Sequence, residues 1–141
     1  MVEVLDQQAR YRVRLKPVRA LLEALLTRYR PDGPDVTLAL VGTAVIKDLN
    51  RRFLNRNGAT DVLSFPGAGP GPGGRVHLGD IVISVPQAFR QSFREAHGLE
   101  TEILDLTVHG FLHLVGFEHG RGIEEEEVRV RRELVGGEER E

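Results

Sequence analysis

The stretch that most limits what this chain can fold into is LETEILDLTVHGFLHLVG, residues 99–116. It is the strongest helix signal in the sequence, and Gly116 ends it. Around it the pattern alternates between strands and helices. Residues 2–5 read as a short opening strand, although YRVRL at 11–15 alternates as well. Pro17 opens a helix whose apolar residues fall at 18, 21, 22, 25, 26 and 29. PDGPD at 31–35 breaks it. A strand at 36–42 leads to a helix at 43–53 with Thr43 as its N-cap. After a polar loop at 54–61, VLSFP at 62–66 reads as a short strand stopped by its proline. The glycine-rich loop at 67–74 joins it to a strand at 77–84, a hairpin-like pair. A helix then runs from Val85 to His97 with Gly98 as its C-terminal cap. The last helix, 123–135, starts with glutamates and ends with arginines, the order that suits the helix dipole. Its acidic run reads as a solvated face. The expectation is an α+β (mixed α/β) fold: one domain over 1–141, with about four strands in a mixed sheet flanked by helices.

Composition removes several function classes. There is no cysteine, so disulfides and thiolate metal sites are out. The N-terminus lacks an apolar signal core and no apolar run nears the ~20 residues that span a bilayer, so the expected location is the cytoplasm. The net charge of −2 hides an asymmetry. Residues 1–60 hold 11 basic and 6 acidic side chains; residues 61–141 hold 8 and 15. Of the basic residues only Lys16 and Lys47 are lysines. Arginine suits bidentate phosphate contacts, and the basic half permits a nucleic-acid partner. GAGPGPGG at 67–74 is no phosphate cradle, because no Gly-Lys-Ser/Thr follows and no helix starts at once.

The chemistry concentrates in HGFLHLVGFEH at 109–119. On a helix, His109 and His113 share one face about 6 Å apart along the axis. Gly116 lets the chain leave the helix in a left-handed conformation, and the turn then carries His119 back over the same cation. Three imidazole ligands leave a fourth tetrahedral position open, which favours catalytic zinc and makes hydrolysis the reaction class. Nickel or another divalent ion suits the same nitrogen set. The spacing matches that of HExxHxxGxxH zinc peptidases, but Gly110 stands where their general base stands and cannot carry a proton. A glycine there also frees space beside the metal for a bulky substrate.

HGFLHLVGFEH closely resembles the HGxLHLxGYDH signature of the YbeY family of bacterial endoribonucleases. LNRRFLNRNGATDVLSFP at 49–66 resembles that family's LN…TDVLSFP segment, and LGDIVIS at 78–84 its LGDI-type strand. The resemblance covers roughly residues 36–120. It implies a mixed sheet flanked by helices, with a metal cleft made by the histidine helix and the turn after it. It also implies zinc on His109, His113 and His119. The activity it implies is single-strand-specific endoribonuclease action in maturing the 3′ end of small-subunit 16S rRNA and in ribosome quality control. The implied partners are RNA and the ribosome or its assembly factors, with no membrane and no peptide substrate.

Two positions depart from the family pattern. Glu118 replaces the usual aspartate and keeps a carboxylate beside the metal for orienting water or a ligand. Leu54 stands where the family has a functional arginine after an aromatic residue, here Phe53. Arg51, Arg52 and Arg56 are the candidates to neutralise phosphate in its place. Thr60 and Asp61 either fix the loop or orient a metal ligand. Ser64 faces the cleft or serves the sheet; Asp80 partners a ligand histidine or caps a loop. His77 and His97 are read as non-ligands. The competing reading is a non-catalytic, metal-stabilised ribosome-assembly factor. A metallohydrolase acting on something other than RNA is the third.

Overall fold

Strict alternation along the strands decides how the chain layers. In the computed structural model, which describes residues 1–135, Val36, Leu38 and Leu40 of one strand enter the larger core cluster while Val41 enters a smaller one. Ile81 and Ile83 likewise face the larger cluster and Val82 the smaller. The sheet is therefore covered on both faces. The last six residues of the expected 1–141 domain lie outside the described residues.

The elements run β1 (Val2–Asp6), α1 (Leu15–Tyr29), β2 (Asp35–Val41), α2 (Thr43–Leu54), β3 (Val62–Pro70), β4 (Val76–Ser84), α3 (Val85–Arg94), α4 (Leu99–Leu114) and α5 (Ile123–Leu134). Strand order is β1-β2-β4-β3. β1, β2 and β4 are parallel, and β3 pairs antiparallel with β4. The mixed four-stranded sheet read from the sequence is thus present. Helices α1 and α4 pack on the larger core; Ile46 and Leu49 of α2 close the other face.

Four local expectations need correction. Gly42, not Thr43, is the N-cap of α2; its backbone is extended and its carbonyl accepts from the Ile46 N–H at 3.3 Å. Pro66 does not stop β3, which continues to Pro70 with a register shift between Pro66 and Gly69. β3 lies at the sheet's edge, where a proline is tolerated. α3 ends at Arg94, not His97, because Ala96 adopts a left-handed φ of 57°. The Ala96 and His97 N–H groups then bond back to the Phe93 and Ser92 carbonyls at 3.3 and 3.1 Å. Gly98 is accordingly the N-cap of α4 rather than the C-cap of α3.

The fourth concerns Gly110. It is buried and faces the sheet, not open space beside the histidines. A Cβ there would meet Ile81 Cγ2 at 2.8 Å, Ser64 Oγ at 3.1 Å and Val62 Cγ2 at 3.3 Å. Its carbonyl accepts a hydrogen bond from Ser64 Oγ at 2.9 Å. Glycine at 110 is what lets α4 lie against β3 and β4. On the strand side, a Cβ at Gly79 would come 2.6 Å from Leu114 Cδ2 and 2.5 Å from the Phe65 carbonyl oxygen.

A polar tie joins α1 to α5. The Tyr29 hydroxyl donates to Glu126 Oε2, and Arg28 pairs with Glu133. Burial, then the hydrogen bond to Glu126, pushes the Tyr29 phenol up to about 12.

Two outcomes are expected. Gly110→Ala forces the helix off the hairpin; overpacking of about 1–3 kcal/mol outweighs the ~1 kcal/mol gained in helix propensity. Urea unfolding should show a net loss of up to about 2 kcal/mol. Because the Tyr29 phenol titrates higher in the folded state, its contribution is complete below the unfolded value near 10 and fades as pH rises toward about 12. Tyr29→Phe should flatten the fall in stability over that interval, as read by denaturant titrations at stepped alkaline pH.

Candidate metal centre

The helical repeat places His109 and His113 on one face of α4, with ring centroids 4.6 Å apart. Their Nε2 atoms lie 3.1 Å from each other. The helix then stops as its glycine requires. Gly116 takes a φ of 104°, its N–H bonds to the His113 carbonyl at 3.1 Å, and the Phe117 N–H bonds to the Leu112 carbonyl at 3.0 Å. This reversal brings the His119 ring to 5.4 Å from His109 and 5.6 Å from His113. One nitrogen from each ring lies within 4.8 Å of the others.

The donor set fits a divalent ion. Two nitrogens bound at 2.0–2.1 Å with a tetrahedral angle stand about 3.3–3.4 Å apart, close to the Nε2 separation observed. Burial, then the charges of His109 and His119, push the His113 imidazole below its ordinary value. A neutral ring keeps a lone pair for a cation.

What orients these rings was not legible as function. The acidic run at 124–127 does not form a uniform solvated face: Glu126 is buried and Glu127 half-buried. Glu127 Oε1 is hydrogen-bonded to His109 Nδ1, and its Oε2 accepts from Arg131 Nη2 at 2.7 Å. Glu124 Oε2 lies 3.2 Å from His119 Nδ1, and the Gly120 N–H also points at its carboxylate. With Nδ1–H given to Glu127, the Nε2 of His109 is left as the donor atom for a metal. Burial alone would raise the Glu127 carboxyl; the hydrogen bond and charge of His109, with Arg131, bring it below its ordinary value. The signal available in the sequence was the three-residue spacing of Glu124 and Glu127, which puts both at the start of α5.

The histidines open into a cleft of about 660 Å³ that wraps edge strand β3. Thr60, Asp61 and Ser64 line it, as do Asn50 and Leu54 from the end of α2. Of the three candidate arginines, only Arg56 lines it. It makes no ion pair among the described residues, whereas Arg51 and Arg52 fork onto Asp48 at 2.7 and 3.2 Å. Asn50 fixes the Arg56 loop at two points. Its carbonyl accepts from the Arg56 N–H at 3.2 Å, and its Nδ2 donates to the Gly58 carbonyl at 3.2 Å. Glu118 stands outside the lining; its carbonyl accepts from the Arg121 N–H at 2.9 Å, which closes the turn that carries His119.

The remaining candidates separate cleanly. Asp61 Oδ1 accepts from the Val62 N–H at 2.8 Å, so it caps the entry to β3. Ser64 faces α4, not the outer ladder. Asp80 pairs with His77 at 2.9 Å on the α2 face of the sheet, away from the three histidines. His97, Glu102 and Asp105 also gather ligand atoms. There His97 Nε2 lies 2.6 Å from Glu102 Oε1, Gln91 donates to Oε2 at 2.8 Å, and Arg131 stands 3.7 Å from Asp105. These carboxylates are held by protein donors. No helix among the described residues is long and apolar enough to cross a membrane.

Residues 3–136 match the family described as Endoribonuclease YbeY. An Endoribonuclease YbeY of Moorella thermoacetica is 38% identical, over 92% of this chain and 91% of its own length. One from Brevibacillus brevis is 41% identical, over 95% and 93%. The solution structure of a Thermotoga maritima protein superimposes with a TM-score of 0.65 at 25% identity, covering 99% of this chain and 92% of that one.

Removing Glu127 tests the orientation of His109. Glu127→Ala should weaken binding of Zn²⁺ or Co²⁺ by about 10–100-fold, measured by competition with a chelating dye, while far-UV circular dichroism stays unchanged.

Proposed function

The chain belongs to the YbeY endoribonuclease family, and from that premise we propose that it is a metal-dependent endoribonuclease acting on single-stranded RNA. The observation that carries this reading is that Arg56, which has no carboxylate partner among the described residues, lines the same cleft as the three converging histidines. His109, His113 and His119 would hold the ion, which we take to be zinc. When bound, such an ion supplies Lewis-acid chemistry at a phosphate ester.

The chain's own residues do the rest. Arg56 binds a non-bridging phosphate oxygen and offsets the charge that gathers there. It takes over from the family arginine that Leu54 replaces, two residues along a loop pinned by Asn50. Glu127 and Glu124 hold two of the rings in position. Glu118, next to His119 in sequence but outside the cleft lining, would orient water only after turning toward it. Arg51 and Arg52, tied to Asp48 at the end of α2, extend the positive field toward the flanking phosphates. The substrate in the cell is then small-subunit rRNA at its 3′ end, with quality control of ribosomes as the related task. The ribosome or its assembly factors are the partners, and the cytoplasm is the compartment.

A second reading rests on Leu54: a metal-stabilised assembly factor that binds RNA without cutting it. Incubation of metal-loaded protein with ribosomal RNA separates the two. The parent should cleave and a folded His113→Ala variant should not. Arg56→Ala should lower kcat/KM by about 100-fold, the scale of losing one well-placed donor to a developing charge. Leu54→Arg should restore or raise cleavage. RNA binding with no cleavage by parent or by Leu54→Arg would favour the assembly factor. Product ends then identify the attacking group: a cyclic phosphate assigns the 2′-hydroxyl, and a free terminal phosphate with no cyclic precursor assigns water.

A further inference from the structure

Three aromatic rings outside the cleft form a ladder that neither core cluster needs in full. Phe89 and Phe93, four residues apart on α3, have centroids 4.9 Å apart and meet edge to face. Tyr11, in the loop after β1, stands 4.9 Å from Phe89 on its other side. Tyr11 packs partly against the core, whereas Phe93 is 70% exposed. Phe93 at the end of this row leaves an aromatic ring open to solvent.

The charge around it is mostly basic, with Asp6, bridged to the Tyr11 carbonyl through Gln8, and Glu100 as the acids near the row. Arg10 sits over the Tyr11 ring at 5.5 Å, and Arg12 and Arg94 are exposed. None of these three has a carboxylate within ion-pair distance among the described residues. Arg90 donates to Gln87 at 2.6 Å, and only Arg14 reaches an acid, Glu100, at 3.6 Å. The opposite face of α3, with Gln91 and Glu95, lines a smaller acidic recess. The arginines are thus gathered on the aromatic side.

An exposed phenylalanine ring beside guanidinium groups that have no carboxylate partner among the described residues suits a polyanion that carries flat bases. An acidic protein would use the charges but not the row of rings. We propose that Phe93, backed by Phe89 and Tyr11, forms with Arg10, Arg12 and Arg94 a second RNA-binding surface, on which an unpaired base outside the cleft stacks. This rests on the RNA reading of the metal cleft. The surface holds a flanking segment of the strand, so it acts on substrate affinity and not on bond breaking.

The test uses the metal-loaded full chain and a fluorescent 20-nucleotide 2′-O-methyl oligouridine, followed by anisotropy. Phe93→Ala should weaken binding at least about fivefold, and Phe93→Trp should keep it. The double change Arg12→Ala with Arg94→Ala should reduce the slope of log K against log salt by about 1.4, at ~0.7 per phosphate on a single strand. With cleavable RNA, Phe93→Ala should raise KM for the 20-mer and leave kcat, and cleavage of a tetranucleotide, as in the parent. An abasic strand should bind parent and Phe93→Ala alike. Unchanged affinity in the Phe93 and arginine variants, with a parent that binds and cleaves, overturns this surface alone and leaves the patch to a protein contact. An equal loss on the abasic strand overturns stacking. A parent that neither binds nor cleaves RNA overturns the function of the cleft, and this surface with it.

Discussion

Everything at the candidate metal centre depends on how closely α4 can approach the β3–β4 hairpin. Two missing Cβ atoms set that distance, one at Gly110 on the helix and one at Gly79 on the strand. The Ser64 hydroxyl fixes the register between them through the Gly110 carbonyl. Helix and sheet thus meet through backbone, where a larger side chain would hold them apart. The residue that looks like a lost catalytic base in the peptidase pattern is a packing residue. Its absence of side chain positions the histidines on either side of it in space.

A second layer of order comes from α5. One acidic run serves three purposes because the helical repeat turns three of its four carboxylates to different neighbours: Glu124 to His119, Glu126 to Tyr29, Glu127 to His109. Arg131 closes the arrangement from the next turn, shared between Glu127 and Asp105. Orientation of two of the three rings is therefore set by a helix that supplies none of the three imidazoles.

The histidine triad was legible because its spacing obeys helix geometry and its glycine has one conformational use. The sheet was legible from alternation, and the strands fell near their expected places. The roles of Glu124 and Glu127 were not, because a run of glutamates looks the same whether its partners are water or imidazole. Nor could the sequence choose among Arg51, Arg52 and Arg56. What separates them in space is Asp48, which pairs with the first two, and Asn50, which holds the loop of the third beside the cleft. The ends of α3 and β3 were misplaced for a shared reason. Ala96 accepts a left-handed backbone and Pro66 an edge position, and both tolerances are granted by the surroundings, not by the residue.

Edge strand β3 forms one wall of the cleft, and an open strand edge ordinarily invites a second strand to add to it. This one carries Pro66 and Pro70, with a register break between Pro66 and Gly69. A neighbouring chain finds no continuous row of donors and acceptors along it. The wall beside the histidines can therefore stay open at high concentration without seeding sheet-to-sheet aggregation.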